Sequence, residues 1–253
     1  WGPDSTGVRV DVASRGLIRF LWYERGERKA GAALVDAAEA HFNLLGLSDI
    51  SAFDQDFRYS FYMLSSAYYS ESSNHVVSLL QSRGYRRCSG ECYYEWLNYA
   101  IPEDLAPLPD SMKFRVTELP GRGRLPGTAV YAVDKTTGQD LGVCVTESTA
   151  EFSGTDAASE HCFTTWIGVP VNRTATRLHS SQGNGLGKCL LAESLRRMKQ
   201  LGYKHASIST ALHNHRAQLF YSNFGYDFTG WTVGLEYSLG NHSEKMGRQD
   251  DNH

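Results

Sequence analysis

Residues 182–188 read Gln182-Gly183-Asn184-Gly185-Leu186-Gly187-Lys188. Alternating glycines let the backbone curl until successive N–H groups point into one space. Beyond the loop, Leu186, Leu190, Ser194, Leu195, Met198 and Leu201 recur at the spacing of one helix face. A helix therefore starts here, and the positive end of its dipole joins the curled loop to make an anion site fit for a phosphate or pyrophosphate. Spacing decides which kind of phosphate loop this is. A G-x-x-x-x-G-K-[ST] loop needs glycine where Gln182 stands and a hydroxyl where Cys189 stands. A dinucleotide fingerprint needs G-x-G-x-x-G, whereas Gly183, Gly185 and Gly187 give G-x-G-x-G. Both readings fail.

A second group follows at Asn214, Ala217, Tyr221, Gly225 and Tyr226. Asn214 is a helix N-cap by type, and Gly225 a helix stop. Ala217, Phe220, Tyr221 and Phe224 form the inner face between them. A tyrosine there is either core or a phenol placed to give up a proton.

The two patterns, Q-x-x-G-x-G and N-x-x-A-x-x-x-Y-x-x-x-G-Y, resemble the signatures of the GNAT superfamily of acetyl-CoA-dependent N-acetyltransferases. The resemblance covers roughly residues 110 to 239. It implies an α/β (α+β) fold, a mixed central sheet flanked by helices. It also implies acetyl-CoA (or another acyl-CoA) as cosubstrate and no metal. The acceptor is an amine, either of a small molecule or of a protein N-terminus or lysine. Carried across by residue, the N–H groups of Gln182, Gly183, Asn184, Gly185, Leu186, Gly187 and Lys188 hold the pyrophosphate. The strand end at Gly168 and Val169 pairs with the pantetheine arm and polarises the thioester carbonyl. Asn214 bonds the pantetheine or caps its helix, and Tyr221 protonates the departing thiolate.

Two departures from the family pattern stand out. Residues 171–181 separate the strand end from the phosphate loop. Between Glu118 and Thr128 there is only a Pro- and Gly-rich loop where the family has a helix pair, which leaves the other half of the chain to wall the acceptor site. The general base is left open among Glu118, Glu147 and His161, each of which also reads as a strand-surface charge. A catalytically silent acyl-CoA-binding sensor stands as the competing function, and Tyr221 argues against it, because a pure binder needs no acid beside the sulfur.

The elements that position these groups follow from periodicity and punctuation. Strands are expected at Lys113–Glu118, Thr128–Asp134, Leu141–Glu147, His161–Val171, His205–Thr210, Tyr226–Phe228 and Trp231–Leu239, and helices at 185–201 and after Asn214. The first half repeats part of this order: a strand at Leu17–Tyr23, a helix at Ala30–Leu45, a strand at Phe57–Leu64, a helix at Asn74–Arg83 and a strand at Glu91–Tyr99. Asn74-His75 to Gly84-Tyr85 repeats the punctuation of Asn214-His215 to Gly225-Tyr226, so the chain reads as two tandem lobes. In the first lobe Arg28 falls where the phosphate loop has its central glycine. Leu80 or Gln81 falls where the second has its tyrosine. That lobe is expected to be degenerate. The Pro-rich stretch from Ala100 to Arg124 suggests domains of 1–108 and 109–239, with a polar, disordered tail at 240–253.

Composition sets the outer bounds. A net charge of −3 over 253 residues gives no basic field toward nucleic acid or anionic lipid. No apolar run is long enough to span a membrane and no secretory leader is evident, which points to the cytoplasm. The chain opens on Trp1, as a processed chain would. Cys88, Cys92, Cys144, Cys162 and Cys189 are odd in number and irregular in spacing, so reduced thiols are expected rather than a disulfide framework or a zinc site. The N-x-[ST] matches at Asn172 and Asn241 are read as chance.

Overall fold

A computed structural model describes residues 15–53, 69–102, 105, 108–121, 125–151, 153, 155–169 and 185–238. Its elements run β1 (Gly16–Ile18), α1 (Arg28–Leu44), β2 (Asp49–Ala52), β3 (Tyr69–Ser70), α2 (Asn74–Ser82), β4 (Arg86–Ser89) and β5 (Glu91–Trp96). They continue with β6 (Met112–Leu119), β7 (Gly127–Asp134), β8 (Asp140–Ser148), β9 (His161–Gly168), α3 (Leu186–Gln200), β10 (His205–Ala211), α4 (His215–Phe224) and β11 (Asp227–Ser238). Strands and helices mix along the chain, as an α/β fold requires.

The chain packs as two units, 1–92 with 211–213 and 230–253, and 93–210 with 214–229. The division therefore falls at Cys92/Tyr93 rather than near residue 108, and the last strand returns to the first unit. The packing has a simple reason. β11 pairs antiparallel with β2 from Asp49↔Ser238 to Ala52↔Leu235, and also with β3 and β4. The Pro-rich stretch instead leads into β6, which pairs with β7 along its whole length.

In the first unit β1 and β2 pair parallel, and Val35 of α1 packs with Ile50, Phe53, Val76, Leu80, Val233 and Leu235. Phe53 stacks on Tyr69 at 4.0 Å between ring centroids. Gly31 admits α1 to close range: a Cβ there would lie 2.6 Å from the Tyr23 ring and 2.9 Å from Leu79.

In the second unit β6, β7, β8 and β9 form an antiparallel meander, and β10 joins β9 in parallel. α3 lies on this sheet and buries Leu190, Leu191, Leu195 and Met198 completely. The α3–sheet contact is not purely apolar. Thr146 Oγ1 lies 2.8 Å from Ser194 Oγ and 3.1 Å from Thr164 Oγ1, so three buried hydroxyls satisfy one another. Tyr99 closes the same core by donating to the Leu195 carbonyl at 3.0 Å.

Several expectations move. β1 stops at Ile18 and the chain to Tyr23 is not strand. β2 and β4 are additional strands. The two strands expected after Gly225 are one: β11 runs from Asp227 to Ser238 through Gly230, a glycine at φ 156°. β9 ends at Gly168, before Pro170. The strand expected at 57–64, the tail, and Asn172 and Asn241 lie outside the described residues. Among the described residues no helix separates β6 from β7, as the sequence suggested.

Candidate active site

β9 carries two irregularities that make room for a ligand. Its ladder with β10 runs from His161↔His205 to Thr164↔Ile208 and stops, although β9 continues to Gly168. On its other edge the ladder with β8 reaches Val143↔Gly168, but Val145↔Trp166 is followed by Thr146↔Thr164, so Thr165 is an extra residue. That β-bulge turns the strand just where the β10 pairing is lost. From Thr165 to Gly168 one edge of the backbone has no ladder partner on β10. Such an edge is a ready template for an extended amide-bearing chain.

A cavity of about 560 Å³ opens beside this strand end. Ile167 and Val169 line it from the strand, Gly185, Gly187 and Lys188 from the start of α3, and Asn214, Arg216, Ala217, Phe220 and Tyr221 from α4. The two helix starts differ in chemistry. Asn214 Oδ1 accepts from the Ala217 N–H at 3.3 Å, so α4 caps itself. α3 is preceded by Gly185 at φ 77°, with no side-chain cap. Among the described residues no side chain caps its first-turn N–H groups, and an anion in the cavity would meet them. A Cβ on Gly185 or Gly187 would meet nothing within 4 Å. Packing among the described residues therefore requires neither glycine, and the left-handed φ of Gly185 favours one there.

Among the described residues the lining charges are Lys188 and Arg216, and no carboxylate is among them. That sign suits a pyrophosphate and a phosphate monoester. Tyr221 is 5% exposed and sits edge-on to Tyr94, with ring centroids 5.9 Å apart. Its ring is thus fixed by core packing while the residue still reaches the cavity wall.

The structure brings together Val169, Gly185, Gly187, Lys188, Asn214 and Tyr221 from the sequence reading. Gly168 ends β9, where a Cβ would lie 2.8 Å from Trp166 Nε1. The Leu186 side chain is buried at the foot of α3. Gln182, Gly183 and Asn184 lie outside the described residues. Arg216 was missed: it occupies a free position of N-x-x-A, and only its place in the first turn after Asn214 could have flagged it. Ile167 was missed because the bulge at Thr165 changes which face it presents.

None of the three base candidates reaches the cavity. At about 3.3 Å per residue, His161 is about 23 Å along β9 from Gly168, and Glu147, opposite Phe163, is about 16 Å away. Glu118 lies opposite Thr128, three strands from β9, or about 14 Å across. His161 instead faces His205 at 4.4 Å between rings. Burial, together with His205, holds its imidazole below the usual range. The cysteines are free thiols; burial pushes Cys144 up to about 11 and also raises Cys189, so neither is an activated nucleophile.

Residues 156–226 match the model of the acetyltransferase (GNAT) family. None of the curated proteins matches the chain. Among solved structures the fold is similar to a GCN5-related N-acetyltransferase from Sphaerobacter thermophilus, with TM-score 0.56, 16% identity, 84% of this chain and 69% of that one covered. It is similar to a tandem GNAT protein from the clavulanic acid biosynthesis pathway, with TM-score 0.59, 12% identity, 85% and 72% covered. It is also similar to the glucosamine N-acetyltransferase region of a fungal multi-domain GH3 β-N-acetylglucosaminidase, with TM-score 0.60, 14% identity, 88% and 30% covered. Residues 156–226 thus match the acetyltransferase (GNAT) family, within a fold similar to that of GCN5-related N-acetyltransferases.

Proposed function

We infer that the second unit transfers an acetyl group from acetyl-CoA to an amine by direct attack on the thioester, with the residues that do so lying between about 109 and 239. The observation that carries this reading is one cavity that joins an uncapped helix start at Gly185, an unpaired strand edge at Thr165–Gly168, and the wall residue Tyr221. Those are the needs of a pyrophosphate, an amide-bearing arm and a leaving thiolate. Acetyl-CoA supplies an acyl group activated as a thioester.

The chain's own residues do the rest. The N–H groups at 182–188 bind the pyrophosphate, and Lys188 and Arg216 balance its charge. The backbone at Gly168 and Val169 holds the arm in line and offers an N–H to the thioester carbonyl oxygen. Asn214 keeps α4 started at the cavity. Tyr221 gives its proton to the sulfur as the carbon–sulfur bond breaks. The proton leaving the amine passes to solvent. The acceptor is a small-molecule amine or a protein N-terminal or lysine amine, and the enzyme works in the cytoplasm.

Thiol release from acetyl-CoA across a panel of amines tests the reading. Amine-dependent release supports it. Protection against melting by acetyl-CoA with no release from any amine would make the chain a sensor instead.

A further inference from the structure

The first unit contains a cavity of about 650 Å³ of its own. Tyr23, Arg25 and Arg28 line it from the approach to α1, and Asn74, His75 and Leu79 from α2. Its position within the repeat can be fixed by caps. α2 is preceded by its N-cap Ser73 and α4 by its N-cap Asn214. The Tyr85 N–H donates to the Leu80 carbonyl at 3.2 Å, and the Tyr226 N–H to the Tyr221 carbonyl at 3.2 Å. Counting from either end gives the same register. His75 then stands where Arg216 stands, and Leu79 where Phe220 stands, and all four line their cavities. The two cavities are the same place in two copies of one motif.

Their chemistry differs. Gly26, at φ 100°, makes the left-handed turn before α1, one position further from its helix than Gly185 is from α3. The first turn of α1 then carries Arg28 and Lys29, where α3 has Leu186 and Gly187. Among the described residues two guanidinium groups line the cavity and no carboxylate does. Arg25 is held in place by donating to the Ser72 carbonyl at 3.0 Å, and exposed Arg28 makes no ion pair among the described residues. His75 Nε2 lies 3.0 Å from the Tyr23 carbonyl, which fixes the ring, while its Nδ1 is buried with no partner. From α2 comes no phenol, because Leu80 takes the place of Tyr221.

We propose that this cavity is a second anion site, which binds a phosphate-bearing small molecule through Arg25 and Arg28 and takes no part in acyl transfer. Arginine forks match phosphate oxygens in pairs, whereas bulky side chains at the first turn of α1 bar the backbone approach that a CoA pyrophosphate makes at Gly185. The ligand is a phosphorylated small molecule rather than a second CoA.

Calorimetric titration of inorganic pyrophosphate into the full chain saturated with acetyl-CoA tests this. The expected result is one equivalent bound, weakened at least about tenfold by Arg28→Ala, with the melting curve of that variant unchanged because the side chain is exposed. The Arg28-dependent equivalent is read whether or not acetyl-CoA binds the second unit, so it stands apart from the proposed enzyme activity. No binding up to about 10 mM, well beyond the affinity of a functional site, would overturn the proposal. Binding indifferent to Arg28→Ala would do the same. So would a second equivalent of acetyl-CoA that Arg28→Ala removes, since the cavity would then be a cofactor site.

Discussion

Leu80 and Tyr221 occupy one position in two copies of a helix. Each carbonyl accepts, at 3.2 Å, the N–H of the tyrosine that follows a left-handed glycine, Tyr85 after Gly84 and Tyr226 after Gly225. Leu80 is completely buried and Tyr221 is 5% exposed at a cavity wall. Both copies keep the packing role; only the second adds a hydroxyl.

That hydroxyl is the first thing to remove. Tyr221→Phe keeps the ring and its edge contact with Tyr94. Turnover should fall about 10²-fold or more while acetyl-CoA affinity stays level, the pattern of an interaction made only in the transition state. Rapid-mixing kinetics with an accepted amine measure both quantities. Unchanged turnover where chemistry limits the rate would return Tyr221 to the core.

Acetyl-CoA should stabilise the chain, by about 2.7 kcal/mol at about 100 times its Kd. Gly185→Arg should abolish the gain. The φ of 77° costs a non-glycine residue about 1 kcal/mol, and the new side chain points into space with no protein atom within 4 Å of its Cβ. Thermal melts with and without ligand report it; an undiminished shift would place the cofactor elsewhere.

One acetyl-CoA should bind per chain. Leu80 and the side chains at the first turn of α1 argue against a second. Calorimetry counts the sites, and a stoichiometry of two would contradict the assignment.

The pH dependence of stability should carry a mark of His161. Its folded pKa lies below the ordinary 6.5, chiefly through burial and then through His205. The unfolded chain therefore takes up the proton first, and stability is lost as pH falls below about 6.5 until the folded value is passed. His161→Asn should flatten urea-derived stability between about pH 7 and 5. An unaltered slope would show that other groups set it.

The second unit was legible because its signals were local. Helical spacing from Leu186 to Met198, the stop at Gly202 and the Asn214 cap each act within a turn or two. Non-local packing escaped. Nothing around residues 227–238 indicates that they pair with 49–52, and Cys92/Tyr93 carries no proline or glycine to announce a boundary. The phosphate loop was visible through its glycines, yet Arg216 and Ile167 were not. One depends on which way a helix start faces a cavity, the other on a bulge that shifts strand register by one residue.

The return of β11 to the first unit has a consequence for the order in which the protein can be made. β2, β3 and β4 emerge early, but the strand that all three pair with comes much later in the chain, at Asp227–Ser238. The first unit cannot complete its sheet until residues 230–238 have been made, and the apolar side chains of that sheet stay exposed meanwhile. Loss of that final strand would thus cripple the amino-terminal unit.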